Sequence, residues 1–347
     1  MAMDKNINQL LQLLLKWYKL SRVKEFNAVC SKDAAWNSIM RKIERKPVRI
    51  LNFRILAAAI FIGMIISAAA LWQYSIYTEK QEVLVKVGKS KAILFIDGGQ
   101  KYDLEKFRGD INYNNVKLAV NANQQLVYNA KELDSTYYNE IDVPRGGEYR
   151  ILLADSSSVM MNSLSRLRFP VAFSKNEKKR EVTLYSGEAF FEVAKDKNKP
   201  FIVTTPHCMV EVLGTKFNVS ISEHKTCITL AEGSVCVKRG DKSGIMEPGE
   251  QMVVSENFIS SRDVEVSQYI GWTNGVFEYS DTPLEEIVGQ LSLWYDVDFR
   301  FNSKDLESKR FAGVILRKQS LKEALDILEK VSKVNFEIKN DYILVRK

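Results

Sequence analysis

Histidine is almost missing from the chain: 347 residues hold two, His207 and His224. That leaves no basis for a zinc centre or a histidine-based triad. Cysteine is scarce too, with four in all. Cys30 stands alone near the start, so Cys208, Cys227 and Cys236 allow one disulfide at most, and their spacing matches no metal site. Cys227 and Cys236 flank "AEGS" (231–234), which reads as a hairpin, and either a bridge or buried thiols fits them. Phosphate-binding loops and convincing carboxylate pairs are also missing. A stand-alone enzyme is therefore disfavoured, and no cofactor or metal is expected.

What is present is unevenly distributed. The formal charge is +7, yet residues 1–54 carry twelve Lys/Arg against four Asp/Glu, leaving the remainder at −1. The basic excess peaks in "RKIERKPVRILNFR" (41–54), directly before "ILAAAIFIGMIISAAALWQYSIYT" (55–78), 24 residues without a charge. A basic flank beside such a run suits membrane topology better than a nucleic-acid footprint. The run is long enough to span a bilayer, with Trp72, Tyr74 and Tyr77 as an interfacial belt. Its length and the 54-residue leader argue against a cleaved signal peptide. The expectation is a single-pass protein of the inner, cytoplasmic membrane, with its N-terminus in the cytoplasm and residues 79–347 in the periplasm.

The arm before the span reads as helical. Ile7, Leu10, Leu11, Leu14 and Tyr18 follow a 3.6-residue period that Leu13 and Trp17 widen. Trp36, Ile39, Met40 and Ile43 repeat the spacing, with Asp33 as a candidate N-cap. Some fifty residues this rich in Leu and Trp cannot bury both faces, so a partner helix surface is the preferred reading over a minimal self-packed bundle.

After the span the texture is short strands and turns. "AILFIDGG" (92–99) and "RILLADSS" (150–157) share one pattern, suggesting a weak duplication. "EVTLYSG", "AFFEVA", "FIVTT", "VEVLG", "KFNVSI", "CITLAEGSVCVK" and "EQMVVS" follow, punctuated by "PRGGE" and "EPGE". An all-β sandwich, jelly roll or β-roll is expected over 79–268. Within it "EVLGTKFNV" (211–219) places Gly214-Thr215 where a strand should run on. A bulge explains the glycine; so does an N→O acyl shift, in which Thr215 Oγ attacks the Gly214 carbonyl.

The tail repeats itself. "PLEEIVGQLSLWYDVDFRF" (283–301) aligns without gaps on "SLKEALDILEKVSKVNFEI" (320–338), with Leu284/Leu321, Glu286/Glu323, Leu291/Leu328, Val297/Val334 and Phe299/Phe336 coinciding. Capping chemistry opens each half, Thr282-Pro283 in one and Ser320 with Glu323 in the other. A small α+β domain of two βαβ-like halves is expected over 269–347.

Taken together, "VPRGGEYRILLADSSSVMMNSLSRLRFP", "REVTLYSGEAFFEVAKDKNKPFIVTT", "VEVLGTKFNV", "LAEGSVCV", "EPGEQMVVS" and "WTNGVFEYSDTPLEEIVGQLSLWYDVDFRF" resemble the FecR family of membrane-spanning anti-sigma regulators. The tail is similar to the family's C-terminal domain in Bacteroidetes-type members, itself like the small signalling domain of secretins and transducers. Asp155-Ser156-Ser157 and Met160-Met161 depart from the family's usual Asp-Gly-Thr and tryptophan, and read as fold-neutral changes. The resemblance implies a cytoplasmic arm, 1–54, that binds an extracytoplasmic-function sigma factor, although the arm matches the family's N-terminal domain only in its helical, Trp-containing character; the wide apolar stripe puts Leu10, Leu14, Trp17, Trp36, Ile39 and Met40 at that contact. It implies contact with a TonB-dependent outer-membrane transducer and control of iron-chelate or glycan uptake genes. It further implies self-cleavage at Gly214-Thr215 in some members. The rival class is a membrane-anchored envelope binding or assembly protein, which would leave the Trp-bearing arm idle.

Overall fold

The computed structural model describes residues 12, 32–43, 58, 60–73, 87–96, 99–107, 109–113, 116–121, 125–129, 137–339 and 341–347. The chain divides into two compact units, Met1–Ile76 and Tyr77–Lys347. In the first, Lys32–Ile43 is a helix with Asp33 in its first turn. The expected N-cap thus sits inside the helix, where its carboxylate meets the positive end of the dipole. Residues 60–73 are helical as well, and Phe61, Ile65 and Leu71 are exposed. Among the described residues no helix is long and apolar enough to cross a membrane. The ends of the 55–78 run, and Leu10, Leu14 and Trp17, lie outside the described residues.

The second unit is mostly β-sheet. One sheet runs in the order β3 (Gln100–Asp103), β2 (Ile93–Ile96), β7 (Tyr138–Asp142), β10 (Arg166–Pro170), the first half of β11 (Arg180–Glu192), β12 (Phe201–Thr204), β13 (Met209–Val212), β16 (Val235–Arg239) and β17 (Lys242–Met246). The other runs β4 (Asp110–Tyr113), β5 (Val116–Val120), β6 (Leu126–Asn129), β8 (Gly147–Leu152), β9 (Ser158–Met161), the second half of β11, β14 (Lys216–Ser222), β15 (Lys225–Glu232), β18 (Glu250–Ser255) and β19 (Ile259–Asp263). A short β1 (Lys89–Ser90) lies parallel to β8. Alternate residues of both sheets fill one core, in which Phe191 and Phe217 stack with centroids 5.1 Å apart.

The two expected strands "EVTLYSG" and "AFFEVA" are one: β11 passes from the first sheet to the second at Gly187. There φ is +81°, and a Cβ would stand 2.4 Å from Ser165. Only glycine turns this corner without strain. The reverse holds for "CITLAEGSVCVK", which is no hairpin. β15 pairs with β14 and β18, whereas β16 pairs with β13 and β17. "AEGS" carries the chain between sheets, and Cys227 and Cys236, on different sheets, are free thiols, as is Cys208.

Asp155-Ser156-Ser157 does more than turn the chain between β8 and β9. Asp155 forms an ion pair with the buried Arg180 at 2.8 Å and accepts a hydrogen bond from the Ser157 hydroxyl at 2.7 Å. Arg180 also donates to the carbonyls of Ala194 and Lys199. Ser156 sits at φ +69°, a conformation that costs a side-chain-bearing residue about 1 kcal/mol.

Past β19 a short helix, Ser267–Ile270, and a 3₁₀ turn, Gly271–Asn274, lead to a second core. Here β20 (Val276–Pro283) pairs with β22 (Arg310–Leu316), while β21 (Asp298–Phe301) and β23 (Asn335–Ile338) flank β24 (Tyr342–Arg346). The gapless repeat maps onto two helix–strand units, Leu284–Tyr295 with β21 and Leu321–Ser332 with β23. Both helices end on a left-handed non-glycine residue, Asp296 and Lys333, each at φ +53°. Ser320 and Glu323 form the expected capping box. Thr282 does not cap its helix: it stays in β20 opposite Phe311, and Pro283 takes the N-cap position. The first helical N–H groups, of Leu284 and Glu285, donate instead to the carbonyls of Lys309 and Glu307.

Two substitutions should move stability in opposite directions. Asp155→Ala strands the Arg180 charge and is expected to cost about 3 kcal/mol. Ser156→Gly relieves the left-handed backbone and should gain up to ~1 kcal/mol. Chemical denaturation of the purified protein checks both; equal midpoints for the two variants would contradict the assignment.

Candidate functional site

Three places carry residues that could do something beyond hold the fold. The first is the helix Lys32–Ile43, where Trp36 is 63% exposed and Ile39 and Met40 lie one turn along, about half exposed. Positions 36, 39 and 40 share one helical face. Exposed apolar groups so arranged offer packing and no bond-making chemistry.

The second is Gly214-Thr215. Because β13 belongs to one sheet and β14 to the other, residues 213–215 cross between them. Gly214 has φ +151°, and a Cβ there would lie 2.4 Å from Lys195 Cγ. Leu213 and Thr215 are tethered on either side, their carbonyls accepting from Asp196 N–H at 2.9 Å and Val193 N–H at 3.0 Å. Thr215 is buried and its hydroxyl donates to the Ser234 carbonyl at 3.0 Å. Attack on the Gly214 carbonyl requires that proton to leave, and a carbonyl oxygen is too weak a base to take it. Of the carboxylate and ammonium groups on the adjoining strands, Glu211 pairs with Lys238 and Lys216 with Glu232. A cleft of 480 Å³ beside the bond is lined by Lys195, Lys197, Leu213 and Ile245. What the arrangement does as it stands is hold a crossover.

The third place joins the two cores, and sequence reasoning missed it. Arg145, read only as part of the turn "PRGGE", reaches the end of the helix Leu284–Tyr295. Its guanidinium donates to the carbonyls of Ser292 and Val297, both at 3.2 Å, and to Ser292 Oγ at 2.9 Å. It also pairs with Asp296 at 3.2 Å and Asp298 at 2.9 Å. A cation at this end of the helix meets the negative end of its dipole, adding to the N–H groups of Asp296 and Val297 that already reach the Ser292 carbonyl. The neighbouring Gly146 N–H donates to Leu293 O at 2.7 Å.

From the other side comes Arg317, almost fully buried. Its Nη2 pairs with Glu148 Oε2 at 3.1 Å and donates to Asn162 Oδ1 at 3.3 Å. Its guanidinium carbon lies 3.6 Å from the Trp294 ring centroid, and the Trp294 indole N–H donates to the Arg317 carbonyl at 2.9 Å. Asn162 passes the network on, donating to the half-buried Glu188, which also accepts from Asn218. Burial pushes the carboxyls of Glu148 and Glu188 up despite the pull of Arg317, and pushes the Arg317 guanidinium down. A carboxyl raised in the folded state supports folding below its ordinary range, and that contribution is lost as pH rises. Neither arginine has a sequence signal, since a lone Arg in "PRGGE" or "LRKQS" looks solvated. Among the described residues no group of His, Cys, Asp or Glu could hold a metal ion.

Two family models match the chain: "FecR protein" over residues 139–236 and "FecR, C-terminal" over 276–345. The first span contains Arg145, Glu148 and Gly214-Thr215, the second Trp294 and Arg317. Two crystal structures of a protein assigned as an anti-sigma factor from Parabacteroides distasonis ATCC 8503, at 1.65 and 2.50 Å resolution, are similar to this chain at 25% identity and a TM-score of 0.54. The similarity covers 60% of this chain and 98% and 99% of theirs. No curated protein matches.

The crossover role of Gly214-Thr215 has a direct check. On a denaturing gel the parent chain should run as one band, as should Thr215→Ser and Thr215→Ala. The alanine variant should lose about 1 kcal/mol with its hydrogen bond. A fragment whose N-terminal sequence begins at Thr215, present in the parent and absent from Thr215→Ala, would overturn this and restore the acyl shift.

Proposed function

The chain belongs to the FecR family of anti-sigma regulators, and from that premise we propose that it relays a signal from a TonB-dependent outer-membrane transducer across the inner membrane to an extracytoplasmic-function sigma factor. The output is transcription of genes for uptake of a nutrient such as an iron chelate or a glycan. The observation that carries this reading is the exposed face of Trp36, Ile39 and Met40 on the helix Lys32–Ile43. A regulator that grips a sigma factor needs an apolar helical surface its own fold leaves open, and tryptophan is the side chain that most often anchors such contacts.

The rest of the relay is built on the remaining segments. Residues 55–78 cross the membrane, with the basic flank 41–54 held in the cytoplasm by the positive-inside rule. The exposed apolar side chains of residues 60–73 suit lipid better than water. The β-sheet domain and the C-terminal domain then face the periplasm, and residues 276–347 meet the transducer.

Two experiments test this. Trp36→Ala should weaken capture of the partner sigma factor by about 2 kcal/mol, roughly thirtyfold in affinity. Unchanged capture would remove Trp36 from the contact. For topology, a phosphatase reporter fused after residue 100 should be active in the periplasm; activity confined to a cytoplasmic reporter at that position would invert the arrangement.

A further inference from the structure

We propose that the C-terminal domain clamps the chain just ahead of β1, so that the state of this domain is transmitted to the N-terminal part of the protein through residues 87–91. The inference rests on the relay reading above and supplies its internal linkage. Every covalent route from the second unit to residues 1–76 runs through this segment, which makes its attachments consequential. They are made to the junction between the cores rather than to the β-sheet core alone.

Val87 packs against the second core. Gly88 lies flat on Trp294: a Cβ at position 88 would stand 2.4–2.6 Å from three atoms of the indole ring. Lys89 N–H donates to Gly146 O and Lys91 N–H to Glu148 O, both at 3.1 Å. Those two acceptors are themselves fastened to the C-terminal domain, Gly146 through Leu293 O and Glu148 through Arg317. Trp294 is therefore held between the strap and the Arg317 guanidinium, with its indole N–H fixed by the Arg317 carbonyl. A shift of the helix Leu284–Tyr295, which carries Trp294 and whose end Arg145 grips, moves the surface against which the strap lies. The β-sheet core, for its part, holds the strap through the two-residue strand β1 and an ion pair of Lys89 with Glu105. A parallel pairing that short is weak alone and a solvent-exposed ion pair adds little to it, so the Trp294 contact is the strap's main attachment.

The test is hydrogen exchange on the full-length protein, read by mass spectrometry. In the parent, the amides of Lys89 and Lys91 should be protected. Gly88→Ala drives a methyl group into Trp294 and should speed their exchange at least about tenfold, while the helix Leu284–Tyr295 and β14 keep their protection. With a sigma-dependent reporter in cells, the same variant should still capture the sigma factor but no longer respond to the outer signal. If Gly88→Ala does not fold, Val87→Ser, which removes a contact without adding bulk, takes its place. Unprotected amides in the parent overturn the clamp, as does a loosened strap with a normal response. Sigma capture by the parent is scored separately: its failure would sink the relay, whereas the exchange data judge the clamp by themselves.

Discussion

A buried arginine against a tryptophan is the contact on which the second unit depends. Arg317 has given up nearly all its water, and desolvation of a guanidinium is worth several kcal/mol against folding. The loss is offset only because Glu148, Asn162 and the Trp294 face converge on it from different elements. Remove any of them and a charge remains with too few partners. Such an arrangement adds little net stability compared with an apolar contact of equal size; what it supplies is a single permitted docking of one core on the other. The register of the two domains follows from it, and so does the place of the strap.

Much of the fold was legible in the sequence. Alternation and turn residues marked the β domain, and the repeat at 283–301 and 320–338 marked two equivalent helix–strand units, down to the capping box at Ser320. The failures share one cause. Gly187 reads as a strand break, Gly214 as a bulge or a scission site and the "AEGS" loop as a hairpin, and all three are passages between sheets. A one-dimensional pattern shows that the chain stops being extended, but which sheet accepts it next is set by non-local pairing. Thr282 failed differently: its side chain suits a cap, yet antiparallel pairing with Phe311 held it in the strand and handed the helix N–H groups to Lys309 and Glu307.

The candidate sites were legible in inverse proportion to their burial. Trp36, Ile39 and Met40 needed only helical spacing to be found, because what matters about them is that nothing in the helix covers them. Gly214-Thr215 was visible as an anomaly, but its meaning depended on where one hydroxyl proton points, and that is a property of Ser234, nineteen residues away. Arg145 and Arg317 gave no sign at all. Trp294 apart, the partners that make them important lie well over a hundred positions distant, and charge on an isolated residue usually means solvent.

Placing a charge network at the junction, rather than more leucine, has a mechanical consequence. Apolar surfaces slide over one another at modest cost, since the dispersion attraction given up on one side is largely restored on the other. A guanidinium fixed by a carboxylate, an amide oxygen and a ring face parts from all its partners together when displaced. The junction therefore favours one docking of the C-terminal core on the β-sheet core over neighbouring ones. The strap at 87–91 joins this same junction through Gly146, Glu148 and Trp294. It thus shares its attachments with the contacts that hold the two cores together.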